Sequence, residues 1–154
     1  MRANREVTRN SRTRRRRGAA QIEFLLSFFT IIFVLYGVIE ISMAVYAMSV
    51  LANAAREGTR YAIVHGARNG SCSGPNTPAC GDATGANVQA VVTDYARFTL
   101  HDTSAMTVNV TWPDGNIDQG SRVQVDVVYN YSPWISLPWT SPTLRASSQA
   151  HIVN

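Results

Sequence analysis

Gly18-Ala19-Ala20-Gln21-Ile22-Glu23-Phe24 opens the stretch that decides how this chain is built. An apolar run follows from Phe24 to Ile39, and a quieter helical pattern then continues past Glu40 to about Ala67. From Ala19 to Ile39, at a helical rise of ~1.5 Å per residue, the chain spans ~32 Å, close to the hydrocarbon thickness of a bilayer. The segment is long and apolar enough to cross a membrane. Glu23 sits inside its apolar end with no Arg in the segment near enough to pair with it. A charge at bilayer depth costs several kcal/mol, so an ionisable residue there points to function.

The flanking charge gives the segment a direction. Residues 1–17 carry eight Arg against one Glu, while everything after Gly18 carries six Arg against nine acids. The net charge of +4 therefore belongs to the leader, and the remainder is acidic. Basic residues beside an apolar span are retained in the cytoplasm, which places Arg14, Arg15, Arg16 and Arg17 inside and the C-terminal module outside. Residues 1–17 have too little apolar content to fold and are expected to be disordered. An arginine cluster also suits nucleic acid, but one abutting a membrane span reads as a topology signal, so no nucleic-acid partner is expected.

Beyond Glu40 the apolar positions thin to Ile41, Val45, Met48, Ala52, Ala55, Thr59 and Ala62, one stripe of a single helix. Gly58 inside that helix costs ~1 kcal/mol relative to Ala, and close approach of a neighbouring backbone is the expected return. The helix is expected to end at Gly66, before a loop rich in Gly, Ser, Pro and Asn that reaches about Gly85. The two cysteines of the chain, Cys72 and Cys80, lie in this loop. An exported loop with an even cysteine count favours a disulfide, worth ~2.5 kcal/mol for so short a ring; two free thiols in a reducing compartment are the alternative.

Val88, Val91, Val92, Tyr95 and Phe98 recur at helical spacing in a second, short helix running to Leu100, capped by Asn87 or a nearby residue. Three alternating patterns then predict strands. Met106, Val108, Val110 and Trp112 form the first, and a Pro113-Asp114-Gly115 turn leads to Val123, Val125, Val127, Tyr129 and Tyr131. Leu144, Ala146, Ser148, Ala150 and Ile152 form a weaker third. Each strand has one covered face, and the two helices are the elements available to cover it. The expected class is α+β: a long N-terminal transmembrane helix over residues 19–67, behind a leader at 1–18, continuing into a module at 68–154 of one short helix and a three-stranded antiparallel sheet. Between the last two strands, Trp134, Ile135, Leu137 and Trp139 load a proline-punctuated loop with apolar bulk. That loop either folds back over the core or serves as a patch for a partner.

A basic leader, then Gly18, a small residue at position 19 and Glu23 as the fifth residue after the Gly resemble a type IV prepilin processing site. Asn53-Ala54-Ala55-Arg56-Glu57-Gly58-Thr59-Arg60-Tyr61-Ala62 is similar to the helix signature of TadE-like pseudopilins of tight-adherence pili. The resemblance implies a pilin fold and a structural role as a minor pilin or pseudopilin, in the cell membrane and without catalysis. It implies that a prepilin peptidase cuts between Gly18 and Ala19, with Glu23 and Phe24 in recognition and assembly. Glu23 would then neutralise the freed N-terminus of a neighbouring subunit. The implied partners are that peptidase, other pilus subunits, inner-membrane assembly proteins and the membrane itself.

Two readings of other classes stay open. One is a single-pass membrane protein with an outward-facing binding module, which keeps its arginines. The other is a secreted protein released by signal peptidase at Ser42-Met43-Ala44 or Val45-Tyr46-Ala47. For enzyme chemistry the residues offer little: His65, His101 and His151 are isolated, and Asp94, Asp102, Asp114, Asp118 and Asp126 are scattered. No metal and no cofactor is expected.

Overall fold

The computed structural model describes residues 3–75, 80–100, 102–133 and 142–153, with side chains from Ala19 onward. Its elements are α1 (Ala3–Val64), α2 (Ala86–Arg97), β1 (Met106–Thr111), β2 (Arg122–Asn130) and β3 (Thr143–His151). The α+β class and every element type agree with the sequence reading. Contacts divide the chain into two units, Met1–Ser42 and Met43–Asn154.

The described residues of the first unit are helix throughout. α1 begins at Ala3, so the basic leader, expected from its composition to stay unfolded, carries helical backbone. Arginine is a good helix former, and extending an existing helix needs no new nucleus. From Ala19 to Leu35 every side chain is exposed. Three of its hydroxyls turn back on their own helix: Thr30 Oγ1 donates to Leu26 O at 2.9 Å, Ser42 Oγ donates to Val38 O at 2.8 Å, and Tyr36 donates to Glu40 Oε2 at 2.8 Å. Each is a polar group satisfied within one turn, as a helix in hydrocarbon requires.

In the second unit α1 and α2 cover one face of an antiparallel sheet of order β1-β2-β3. The register aligns Met106 with Tyr129 and Leu144, Val108 with Val127 and Ala146, and Val110 with Val125 and Ser148. These rows point inward. Val123, Val125 and Val127 on the central strand are wholly buried, whereas the inward residues of β3 are only half-buried. The face that meets the sheet on α1 carries Ala47, Leu51, Ala54, Ala55, Thr59 and Ala62.

That face differs in part from the expected stripe. Ala55, Thr59 and Ala62 are buried as anticipated, but Ile41, Val45 and Met48 are 67%, 64% and 51% exposed. Alternating fours and threes average 3.5 residues per turn, and such a stripe drifts ~20° per heptad around a straight helix. Followed back three heptads from Ala62, it has left the sheet.

Gly58 marks the tightest packing. A Cβ there would overlap Val92 Cγ2 and lie 3.6 Å from Val125 Cγ1, so the close neighbour is an α2 side chain rather than a backbone. α1 ends at Val64, slightly earlier than expected, and its last carbonyls are all answered. His65 Nδ1 donates to Tyr61 O at 2.9 Å, His65 N to Ala62 O at 3.2 Å, Val153 N to Ile63 O at 3.0 Å, and Asn69 Nδ2 to Val64 O at 2.9 Å. The bond from Val153 ties the end of the third strand to the end of the long helix. α2 stops at Arg97, before the expected Leu100, and Phe98 is 91% exposed rather than part of the apolar face. Val88 and Val92 are buried as expected and Ala96 completes the face, whereas Tyr95 is 41% exposed.

Candidate functional site

The residues expected to act at the processing junction lie on α1. Gly18 and Arg14 to Arg17 belong to its backbone span, and their side chains lie outside the described set. Ala19 and Glu23 are exposed, and Phe24 is 69% exposed, its ring stacked on Phe28 at a centroid distance of 6.2 Å. Glu23 has no hydrogen-bond or ion-pair partner among the described residues. Glu23 and Glu40 therefore differ: Glu40 accepts from Tyr36 one turn away, whereas Glu23 presents its carboxyl group outward from an apolar surface. A carboxylate so placed is costly in lipid until something of opposite charge reaches it. One helix among the described residues is long and apolar enough to cross a membrane, and it is the one carrying Glu23.

The loop after α1 is the other built feature. Cys72 and Cys80 form a disulfide with a Cα–Cα distance of 5.2 Å. The bond closes a loop whose strands meet again at Ser73 and Asp82, where Gly74 N donates to Asp82 O at 2.7 Å. Asp82, which the sequence reading passed over, is the hub. Its carboxylate accepts from the Ser73 hydroxyl, from Ala86 N at 2.8 Å and from Asn87 N at 2.9 Å. Burial pushes the carboxyl pKa up, but the hydrogen bonds from Ser73 and from the backbone N–H groups of Asn87, Ala86 and Gly85 outweigh it and hold it below the ordinary value. Asp82 thus caps α2 from outside the helix, where Asn87 or a neighbour was expected to do so. Gly85 occupies the N-cap position itself, with a φ of 74° and no side chain to offer. An acid shortly before a helical pattern was the available sequence signal.

Trp112 seals the same region. A Cβ on Gly74 or Gly85 would lie 2.8 Å or 2.6 Å from its indole ring, so both positions need glycine for space as well as for positive φ. At the opposite turn, Arg122 donates to Asp114 in a salt bridge of 2.6 Å, and that guanidinium holds the Asp114 carboxyl at about 2. The pair sits at the surface and staples the β1–β2 turn. Trp134, Ile135, Leu137 and Trp139, the expected partner patch, lie outside the described residues. Among the described residues no group of three or more His, Cys, Asp or Glu side chains converges to hold a metal.

The structure therefore brings together the two cysteines with Ser73 and Asp82, and gives Glu23 no partner among the described residues. The first arrangement is a structural clasp; the second is an exposed acid on an apolar surface. The family model for TadE-like proteins matches residues 18–60, from the Gly18 junction through Glu23 to Arg60. No curated protein and no solved structure matches the chain.

Proposed function

Because the helix from Gly18 to Arg60 is that of a TadE-like protein, a family associated with the assembly of tight-adherence pili, we propose that this chain is a minor pilin or pseudopilin of such a system. It is a structural subunit that a prepilin peptidase matures between Gly18 and Ala19. The helix from Ala19 onward crosses the cell membrane, with the arginine leader in the cytoplasm and the module Met43–Asn154 outside. Its partners are the peptidase, other pilus subunits and inner-membrane assembly proteins. One observation carries the reading. The family match begins at the Gly18–Ala19 junction and contains an exposed apolar helix near whose start Glu23 has no partner among the described residues.

The signal-peptidase alternative meets an obstacle in the core. Ala47 is 3% exposed and Ala44 packs beside it, so cleavage at either candidate box cuts the helix where it enters the module. A membrane protein with an autonomous binding module remains distinguishable by its N-terminus. Intact-mass measurement on the chain expressed with and without a prepilin peptidase is the test. The expected mature protein starts at Ala19, and only when the peptidase is present; retention of Arg14 to Arg17 beside an active peptidase refutes the processing.

A further inference from the structure

We propose that the outer edge of β3 is a docking site for an extended, acidic strand of a partner protein, which joins the sheet beside β3. The site lies wholly within the unit Met43–Asn154.

The backbone defines the edge. Tyr131 N donates to Pro142 O at 3.1 Å and Ile152 N to Ser121 O at 2.8 Å, at the two ends of the β2–β3 ladder. Antiparallel bonding alternates, so Leu144, Ala146, Ser148 and Ala150 turn their N–H and C=O groups toward β2. Those of Arg145, Ser147 and Gln149 point the other way, and no described residue bonds them. β3 pairs over nine residues with neither a bulge nor a proline, two devices that blunt sheet edges. The opposite edge offers less: β1 has six residues, Met106 N is taken by Thr103 O, and Val110 is buried. The core is also incomplete beside β3. Val123, Val125 and Val127 are wholly buried, whereas Leu144, Ala146, Ser148 and Ala150 are only half-buried. A further strand with apolar residues at alternate positions extends that inward row and covers it.

Charge selects the partner. Arg145 stands on the outward face of β3, at the edge itself. On the inward side, Thr59 Oγ1 donates to Ser148 O at 3.3 Å, while Gly58 meets Val92 of α2, so the flank of α1 that carries Thr59 is the one toward β3. Arg56, three residues before Thr59, shares that flank. Both guanidinium groups are exposed, and neither has a hydrogen-bond or ion-pair partner among the described residues. A strand laid along β3 runs between these two positive charges, which favour carboxylates on it. A second copy of this chain does not supply them, because neither of its edge strands, Met106–Thr111 or Thr143–His151, carries an acid.

The test uses the full chain in detergent micelles and a fluorescein-labelled peptide, Val-Glu-Val-Glu-Val-Glu-Val, with binding read by anisotropy. The peptide should bind, and its counterpart with Lys in place of Glu should not. A surface ion pair is worth up to about fivefold, so Arg56→Gln with Arg145→Gln should weaken binding roughly tenfold. Ser147→Pro removes an N–H that the β2–β3 ladder does not use, so it should abolish binding while the unfolding midpoint stays in place. Peptides N-methylated on alternate amides test the same bonds with the protein unaltered: one set of methyl groups should abolish binding and the other be tolerated. In the free chain the amides of Arg145, Ser147 and Gln149 should exchange rapidly with solvent and slow when the peptide is added. Absence of binding, equal binding of the Lys peptide, or tolerance of both methylated sets overturns the proposal. So does tighter binding by Arg145→Gln, which would make that arginine a guard against pairing. Slow exchange of the three amides without peptide also overturns it: the chain's own segment covers the edge if the slowing is independent of concentration, and a second copy does if it grows with concentration.

Discussion

Replacing Asp82 by Ala removes the acceptor on which the cysteine loop and α2 both close. The carboxylate takes the N–H groups of Ala86 and Asn87, two of the donors that the first turn of a helix cannot satisfy internally. Loss of such a cap costs about 0.5–2 kcal/mol. The same oxygens accept from Ser73, which is 1% exposed, and a buried hydroxyl left without an acceptor costs about 1–3 kcal/mol more. Together these place Asp82→Ala at about 3 kcal/mol of destabilisation, a large share of the stability of a small module. Asp82→Asn keeps one acceptor oxygen and should lose about half as much. Urea unfolding of the detergent-solubilised chain is the assay, followed by the near-ultraviolet signal of Trp112, whose ring lies against Gly85.

The pH dependence supplies an independent check. The folded carboxyl titrates below its ordinary value, so its contribution is complete above the unfolded pKa near 3.9 and is lost as pH falls through the folded one. The difference between the unmodified chain and Asp82→Ala should be constant from neutral pH to about 5 and narrow below about 4. A variant within about 0.5 kcal/mol of the parent, or a difference that widens in acid, would refute the assignment of Asp82 as the clasp.

Gly58→Ala should destabilise by about 1 kcal/mol, since overpacking against Val92 exceeds the gain in helix propensity. Combined with Val92→Ala, the loss should be smaller than the sum of the single changes, and full additivity would mean that the two do not touch. Converting Cys72 and Cys80 to Ser should cost about 2.5 kcal/mol by the same unfolding assay, and ready thiol labelling of the unreduced native protein would show that the bond is absent. Glu23→Gln should leave the module folded while incorporation into pili falls, measured by complementation of piliation alongside protein level in the membrane. Full piliation with Gln at position 23 would demote Glu23 to a recognition element for the peptidase.

The sequence by itself determined the element types, their order and the inward rows of the sheet, because these follow from period. An alternation of two along Val123, Val125, Val127 and Tyr129 allows one covered face, and the apolar run from Phe24 to Ile39 makes one helix long and apolar enough to cross a membrane. It also showed Glu23, since an acid at the edge of an apolar run is visible without coordinates. Only the tertiary structure decided the matters that depend on what stands opposite. It chose the face of α1 that meets the sheet, because a stripe averaging 3.5 residues drifts on a straight helix. It turned Phe98 outward, because α2 ends at Arg97 and the chain there leaves the face that Val88, Val92 and Ala96 bury. It gave the cap of α2 to Asp82, because a disulfide and a backbone bond from Gly74 fold the loop until that carboxylate faces the helix start. Periodicity along one chain fixes which residues are apolar together; only packing between segments fixes which polar group finds which partner.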